Sequence, residues 1–250
     1  MKIQLIRNAT LKFYYGGNTF LIDPYFASKH SQRSFAGKSP NPTVELPVSV
    51  EDILSGVEMV LVSHLHPDHF DETAQLALPK ELPLFCHPTH LNTILGMNFT
   101  RITSVEDQLY WRNLEIIRTP GEHGVGEIGQ RMGDVAGFIL KAAGEPTIYW
   151  MGDTIWYSKL EEVIETHKPH IIITHSGGNR FSDDTPAIVM DKEQTIDLCK
   201  FAPDSIVIAT HLEALDHGSV TRDELQVYAE KQGVPASQLR IPADGELLEF

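Results

Sequence analysis

Residues 2–7 and 11–15 carry alternating apolar and aromatic side chains, the pattern of half-buried strands. Gly16-Gly17-Asn18 then supplies a turn into a third strand at residues 19–22, which Asp23-Pro24 ends. From residue 25 to residue 47 the pattern stops, and Ser, Lys, Pro and Asn follow one another without a period. Loops of this length are commonly functional lids or disordered segments. We expect this one to cover the mouth of a crevice, with Arg33 and Lys38, beside His30, meeting an anionic group.

Beyond residue 50, short helical and strand patterns alternate. Helices are expected at residues 50–54, behind Ser49 as N-cap, and at 71–78, 90–95, 160–167, 191–201 and 221–232. Strands are expected at 57–62, 83–86, 110–112, 114–118, 135–141, 147–151, 171–174, 205–209, 239–241 and 246–250. Strands crowd the start and middle of the chain and βα alternation fills the rest. That predicts an α/β sandwich of mixed sheets with helices outside. No linker divides the pattern, so residues 1–250 read as one domain.

Composition is that of an ordinary globular protein, with 42% apolar and 22% charged residues. The net charge of −14 argues against nucleic-acid and anionic-membrane partners. It leaves anionic substrates open, because a bound metal reverses the sign of a local site. Cys86 and Cys199 stand far apart and read as reduced thiols of a cytosolic protein. Apolar runs such as residues 206–209 fall far short of the roughly 18 residues of a membrane span, and no signal segment is visible at the start. A soluble, cytoplasmic protein is expected.

Histidine changes the picture. There are 12, and many follow strands. The strand at 57–62 runs into Ser63-His64-Leu65-His66-Pro67-Asp68-His69, that at 147–151 into Gly152-Asp153-Thr154, and that at 171–174 into His175. The strand at 205–209 runs into Thr210-His211, and that at 114–118 is followed by Gly121-Glu122-His123-Gly124. Residues beyond the carboxyl ends of neighbouring strands face one crevice. Five such clusters predict a single polynuclear metal site built from distant segments. His64 and His66 lie two apart past a strand, so both imidazoles can aim the same way. Asp68 and His69 follow a turn begun by Pro67. Three imidazoles and a carboxylate suit zinc, manganese or iron.

The stretch His64-x-His66-x-Asp68-His69 resembles the HxHxDH signature of the metallo-β-lactamase superfamily, and the later clusters match in order. His123 resembles the third metal histidine, Asp153 in Gly-Asp-Thr the bridging aspartate, and His211 the final histidine. The resemblance spans nearly the whole chain. It implies an αββα sandwich of two mixed β-sheets flanked by helices. It also implies a dinuclear hydrolase that uses a metal-bridging hydroxide on a small ester, lactone or phosphoester. One ion would be held by His64, His66 and His123, the other by Asp68, His69 and His211, with Asp153 between them. Zinc is the first expectation for the two divalent ions, with manganese or iron as alternatives. The short spans between Asp153 and His211 and after His211 resemble the short cytosolic branch that includes ascorbate-6-phosphate lactonase. The chain departs from that branch near its start: Asn8-Ala9-Thr10 replaces a Gly-His-Ala or Gly-His-Ser turn, so that histidine's role does not transfer.

Asp68 is expected to bind metal, orient a proton, or both. His175 should face the crevice and contact substrate or protonate a leaving group, or else support a ligand by a hydrogen bond. His217 reads as a residue supporting a ligand in that way. His87 and His90 read as structural, and His167 and His170 as surface residues. Two rival readings stand beside hydrolysis. A redox enzyme of dioxygenase or diiron type shares the fold, but diiron reductases tend to place a carboxylate where His66 stands. A non-catalytic, metal-stabilised binding protein would predict a degraded ligand set, and all seven positions are filled. The expected partners are a small-molecule substrate and further copies of the chain in a homo-oligomer.

Overall fold

The computed structural model describes residues 1–250. Its strands form two seven-stranded sheets. The first sheet has the order β14 (Leu247–Glu249), β1 (Lys2–Arg7), β2 (Thr10–Tyr15), β3 (Asn18–Ile22), β4 (Met59–Val62), β5 (Leu84–Cys86) and β6 (Ile102–Ser104). The second has the order β13 (Leu239–Arg240), β12 (Ile206–Thr210), β11 (Ile171–His175), β10 (Ile148–Trp150), β9 (Ala136–Ala142), β8 (Leu114–Pro120) and β7 (Gln108–Trp111). Both sheets are mixed. Pairing from β14 to β3 is antiparallel and from β3 to β6 parallel. Pairing from β7 to β10 is antiparallel and from β10 to β13 parallel.

The period-two alternation of the strands makes the layers. Ile3, Leu5, Phe13, Phe20 and Leu61 face Ile116, Phe138, Leu140, Trp150 and Ile173 in a core of 21 buried residues between the sheets. The intervening residues point outward and are covered by helices. Leu21, Val60 and Val62 pack with Ile53, Ala74 and Ile94 of α1 (Val50–Leu54), α2 (Glu72–Ala77) and α3 (Leu91–Leu95). Between these and the last three helices comes α4 (Gly126–Met132). Ile139, Tyr149 and Val207 pack with residues such as Leu160, Ile196 and Leu225 of α5 (Ser158–His167), α6 (Lys192–Phe201) and α7 (Arg222–Lys231). Each fully buried aliphatic or Phe side chain contributes about 1.5–3 kcal/mol. The result is the αββα sandwich that the sequence implied.

Helix starts are set locally. Ser49, Asp71, Asp191 and Thr221 each accept a backbone N–H of the first turn, and Thr221 completes a capping box with Glu224. Such caps contribute about 1 kcal/mol each. Two elements depart from the sequence expectation. α4 contains Gly126 and Gly129 and buries no residue, so it has no apolar stripe to read. The edge strand β6 has only three residues and none is fully buried. No helix is long and apolar enough to cross a membrane.

Candidate metal centre

The carboxyl ends of β3 and β4 in one sheet, and of β8, β10, β11 and β12 in the other, open on the same edge of the sandwich. Asp153, just past β10, sits at the centre of what they carry. Its Oδ2 lies 3.2 Å from Nε2 of His69, 3.2 Å from Nε2 of His123 and 3.7 Å from Nε2 of His64. Its Oδ1 lies 2.5 Å from Nδ1 of His175 and 3.9 Å from Nε2 of His211. Gly152 makes this placement possible. Its φ is +69°, and a Cβ there would come within 2.7 Å of the Ala136 carbonyl and 2.9 Å of the Trp150 ring.

Two donor sets share Asp153. His64, His66, His123 and Asp153 bring their ligand atoms within 4.8 Å of one another, and so do His69, His175, His211 and Asp153. The first set is the one expected for one ion. The second gathers His175 in addition to His69 and His211, with Asp68 alongside: Oδ2 of Asp68 is 3.1 Å from Nε2 of His211 and 3.5 Å from Nε2 of His69. All seven expected residues therefore meet in one place.

The hydrogen-bond network assigns the imidazole tautomers. His69 donates from Nδ1 to Oδ2 of Asp23 at 2.7 Å. Ser63 donates its hydroxyl to the same oxygen at 2.6 Å and lies 2.8 Å from Nδ1 of His64, which donates to it. His123 donates from Nδ1 to the Ile188 carbonyl at 2.7 Å. In His64 and His123 Nε2 is left with its lone pair toward the centre, as a metal ligand requires, and in His69 Nε2 is the nitrogen that faces the centre. Nε2 of His69 is buried and has no hydrogen-bond partner in the protein. An orphaned buried imidazole nitrogen amid carboxylates and further imidazoles fits a divalent cation.

Electrostatics point the same way. Burial, with His69 and His66 nearby, holds His64 well below its ordinary value. Burial also pushes His123 and His175 down to about 4 against the pull of Asp153. Burial raises Asp68 and Asp153, yet the surrounding imidazoles, His69 foremost, outweigh it and hold both carboxyls well below the usual range. Neutral imidazoles and ionised carboxylates are the states that bind metal. His69 is the exception: burial opposes its charge, but Asp153, Asp68 and Asp23 outweigh it and push it well above its ordinary value. Cation binding would displace that proton.

Two supporting residues, Asp23 and Ser63, are not among those the sequence pattern singles out. Asp23-Pro24 reads there as a strand terminator. Yet Asp23 is a polar residue directly after a strand, the same signal that locates Asp153 and His211. Asn8, in the turn between β1 and β2, is buried beside the centre. Its Nδ2 donates to the Asp68 carbonyl at 3.2 Å and to Oδ2 of Asp68 at 3.4 Å, and its own carbonyl accepts from the His211 amide at 3.0 Å. Asn8, Asp23 and His211 all have positive φ, at 57°, 47° and 62°. Left-handed backbone costs free energy and gathers at functional sites.

Above the centre lies a cleft lined by His66, Asp68, His123, Asp153 and His211 at one end and by Phe35, Met132, Phe181 and Ile188 among others. The loop at 25–47 does reach it, through Arg33 and Phe35. Lys38 and His30 do not line it. His30 and Lys38 are exposed, and Tyr25 is buried, donating its hydroxyl to Gln32. The cationic rim expected of this loop is thus reduced to Arg33. His175 is fully buried and bonded to Asp153, and it does not line the cleft, so the expected contact with substrate is not open to it. Its geometry fits the other expected role, support of the ligand set. His217 lines the cleft instead of supporting a ligand, and pairs with Asn179 at 3.2 Å. His87 caps a short turn through Thr89, and His90 reaches the Asp134 carbonyl at 3.3 Å.

Comparison with known proteins agrees with this geometry. The protein YddR of Bacillus subtilis (strain 168) is 36% identical over the whole of both chains. An isothiocyanate hydrolase from Delia radicum gut bacteria superposes with a TM-score of 0.94 at 35% identity, covering 100% of this chain and 99% of its own. A possible metal-dependent hydrolase from Veillonella parvula DSM 2008 superposes with a TM-score of 0.95 at 30% identity, again covering 100% and 99%. Residues 18–212 match the family described as beta-lactamase superfamily domain. The chain belongs to that family, and within it is a metal-dependent hydrolase.

Proposed function

We propose that this hydrolase is dinuclear and attacks an electrophilic carbon of a small molecule, with an isothiocyanate as the first substrate class. The observation that carries the reading is the pair of donor sets sharing Asp153 at the floor of the cleft. Two divalent ions, zinc foremost, would be held by His64, His66 and His123 and by His69, His211 and Asp68, with Asp153 between and His175 bonded to it. When bound, such a pair supplies a water acidic enough to attack near neutral pH and polarises the electrophile.

The chain's own residues do the rest. Asp68 lines the cleft, is held by Asn8, and is placed to accept a proton from the attacking water. Phe35, Phe181, Met132 and Ile188 receive the apolar substituent and exclude water from it. For an isothiocyanate, water oxygen adds to the central carbon and its protons pass to nitrogen. The carbon–nitrogen bond then breaks, giving the amine and carbonyl sulfide. The likeness to the isothiocyanate hydrolase, at 35% identity over the full chain, supports this substrate class.

Arg33 in the cleft wall favours a second reading, a small anionic ester, lactone or phosphoester. A panel decides between them. Protein reconstituted separately with zinc, manganese and iron is assayed against benzyl and alkyl isothiocyanates, lactones, phosphodiesters, thioesters and β-lactams. Isothiocyanates as the best substrates are the expected result. Turnover confined to the anionic esters would overturn the first reading in favour of the second.

A further inference from the structure

The cleft-lining part of the long loop is wrapped around a single carboxylate from the far end of the chain. Asp216 follows β12, five residues past His211. Its Oδ1 accepts from the Phe35 amide at 2.9 Å and from Nδ2 of Asn41 at 2.9 Å. Its Oδ2 accepts from the amides of Ala36 at 3.1 Å, Lys38 at 3.2 Å and Ser39 at 3.3 Å, and from the Ser34 hydroxyl. The Asp216 amide donates back to Oδ1 of Asn41 at 2.8 Å. Below this hub the seam continues, with the Thr43 amide on the Ala214 carbonyl at 2.9 Å.

Residues 34–39 form no helix or strand, so no ladder holds them. Their amides instead converge as an anion-binding nest, and its occupant is the chain's own carboxylate. Hydrogen bonds to an ionised acceptor are roughly twice as strong as neutral ones. Burial of Asp216 favours its neutral form, but the bonds from Ser34, Phe35, Asn41 and Ala36 outweigh this and hold it ionised, well below the usual carboxyl range. The two ends of the hub both touch the cleft. Arg33 and Phe35 line it from the loop, and His217, next to Asp216, lines it from the other side. The Phe35 and His217 rings meet edge-on with centroids 5.2 Å apart.

We propose that Asp216 is a positioning residue: by gathering residues 34–41 it fixes Phe35 against His217 and so sets how tightly the cleft holds its substrate. This rests on the reading of the cleft as the substrate site. The carboxylate is 8% exposed and lines no part of the cleft itself, so it acts through the loop.

Asp216→Asn tests it, since the amide keeps the shape but turns an NH2 group toward donors. Trypsin cleavage after Arg33 and Lys38 should accelerate about tenfold in the variant, as expected for a loop released from its local hold. With benzyl isothiocyanate as probe, KM should rise about fivefold or more while kcat stays within about twofold and metal content is unchanged. Phe35→Ala should raise KM similarly, and the double variant should add little to either single one. Unchanged cleavage in the loop, or a fall in kcat that tracks lost metal, would overturn the proposal. If the variant melts without cooperativity, Asn41→Ala removes two bonds of the hub while keeping the carboxylate and should speed the same two cleavages more modestly; no change there overturns it too. Failure of the wild-type protein to turn over any isothiocyanate would sink the proposed function alone, because the proteolysis result stands without a substrate.

Discussion

Nδ1 of His69 and the Ser63 hydroxyl meet on one oxygen of Asp23, at 2.7 Å and 2.6 Å, and through Ser63 the same carboxylate orients His64. One buried side chain thus fixes a ligand from each of the two donor sets. Asp23 is fully buried and also accepts the Ser63 amide at 2.8 Å.

Removing that support should weaken metal binding without deleting a ligand. Asp23→Ala leaves His64 and His69 in place but frees their tautomers and ring orientations. Partners of this kind are worth about 10- to 100-fold in metal affinity. Zinc affinity measured by competition with a chromogenic chelator should fall by about that factor. Leaving the Ser63 and His69 donors unpaired should also cost about 1–3 kcal/mol of stability. Affinity equal to wild type would show that the ligands are held by packing alone.

The donor sets also predict stoichiometry. Elemental analysis of protein purified without chelator, or after reconstitution, should find about two transition-metal ions per chain, because each set offers at least three donors besides the shared carboxylate. At most one ion per chain after reconstitution would refute the dinuclear reading.

Most of this site is legible in the amino-acid sequence because it lies at strand ends. Runs such as residues 206–209 and 171–174 announce buried strands, and the polar residues that follow each are brought to one edge of the sheet. That logic locates His64, Asp153, His175 and His211. It holds for Asp23 as well, but the neighbouring Pro24 gives that residue the look of a mere terminator. The depth of His175 is not legible, since whether a residue at a strand end lines the cleft or lies beneath it depends on what packs above. The Asp216 hub is invisible in the sequence for a different reason. It joins residues about 180 apart through backbone amides, which carry no side-chain signature. α4 has no signature because its stability owes nothing to a buried face.

His87 predicts part of the acid sensitivity of the fold. It is 8% exposed, its Nδ1 accepts the Thr89 amide, and burial, with Arg118 nearby, pushes it from 6.5 down to about 4. Above pH 6.5 it is neutral in both the folded and the unfolded chain. As pH falls from 6.5 toward 4, the unfolded chain takes up a proton that the folded one refuses, and stability is lost. In His87→Gln, the loss of unfolding free energy between about pH 7 and about pH 4.5 should shrink by roughly 1–2 kcal/mol relative to wild type. Urea titrations at the two pH values measure it. The metal-ligand histidines titrate in both proteins and cancel in the difference. An identical pH dependence would mean that His87 is solvated in the native ensemble.

Asp153→Asn and His90→Asn separate a bridge from a bystander. Asp153 reaches His64, His69, His123, His175 and His211 through its two oxygens and lines the floor of the cleft. A carboxylate between two dications offsets part of their repulsion, which is large at short range in a buried site. An amide supplies one weaker oxygen, no charge, and an NH2 group in place of the second acceptor. At least one ion should therefore bind about 100-fold more weakly in Asp153→Asn, and turnover should fall with it. His90 is half-buried, bonds through its ring to the Asp134 carbonyl, and belongs to neither donor set. His90→Asn should keep wild-type metal content and turnover. Metal analysis and initial rates of the two variants, side by side with wild type, decide the matter. A fully active Asp153→Asn protein with two ions bound would place the bridge elsewhere, because Asp153 is the carboxylate that both four-residue donor sets share.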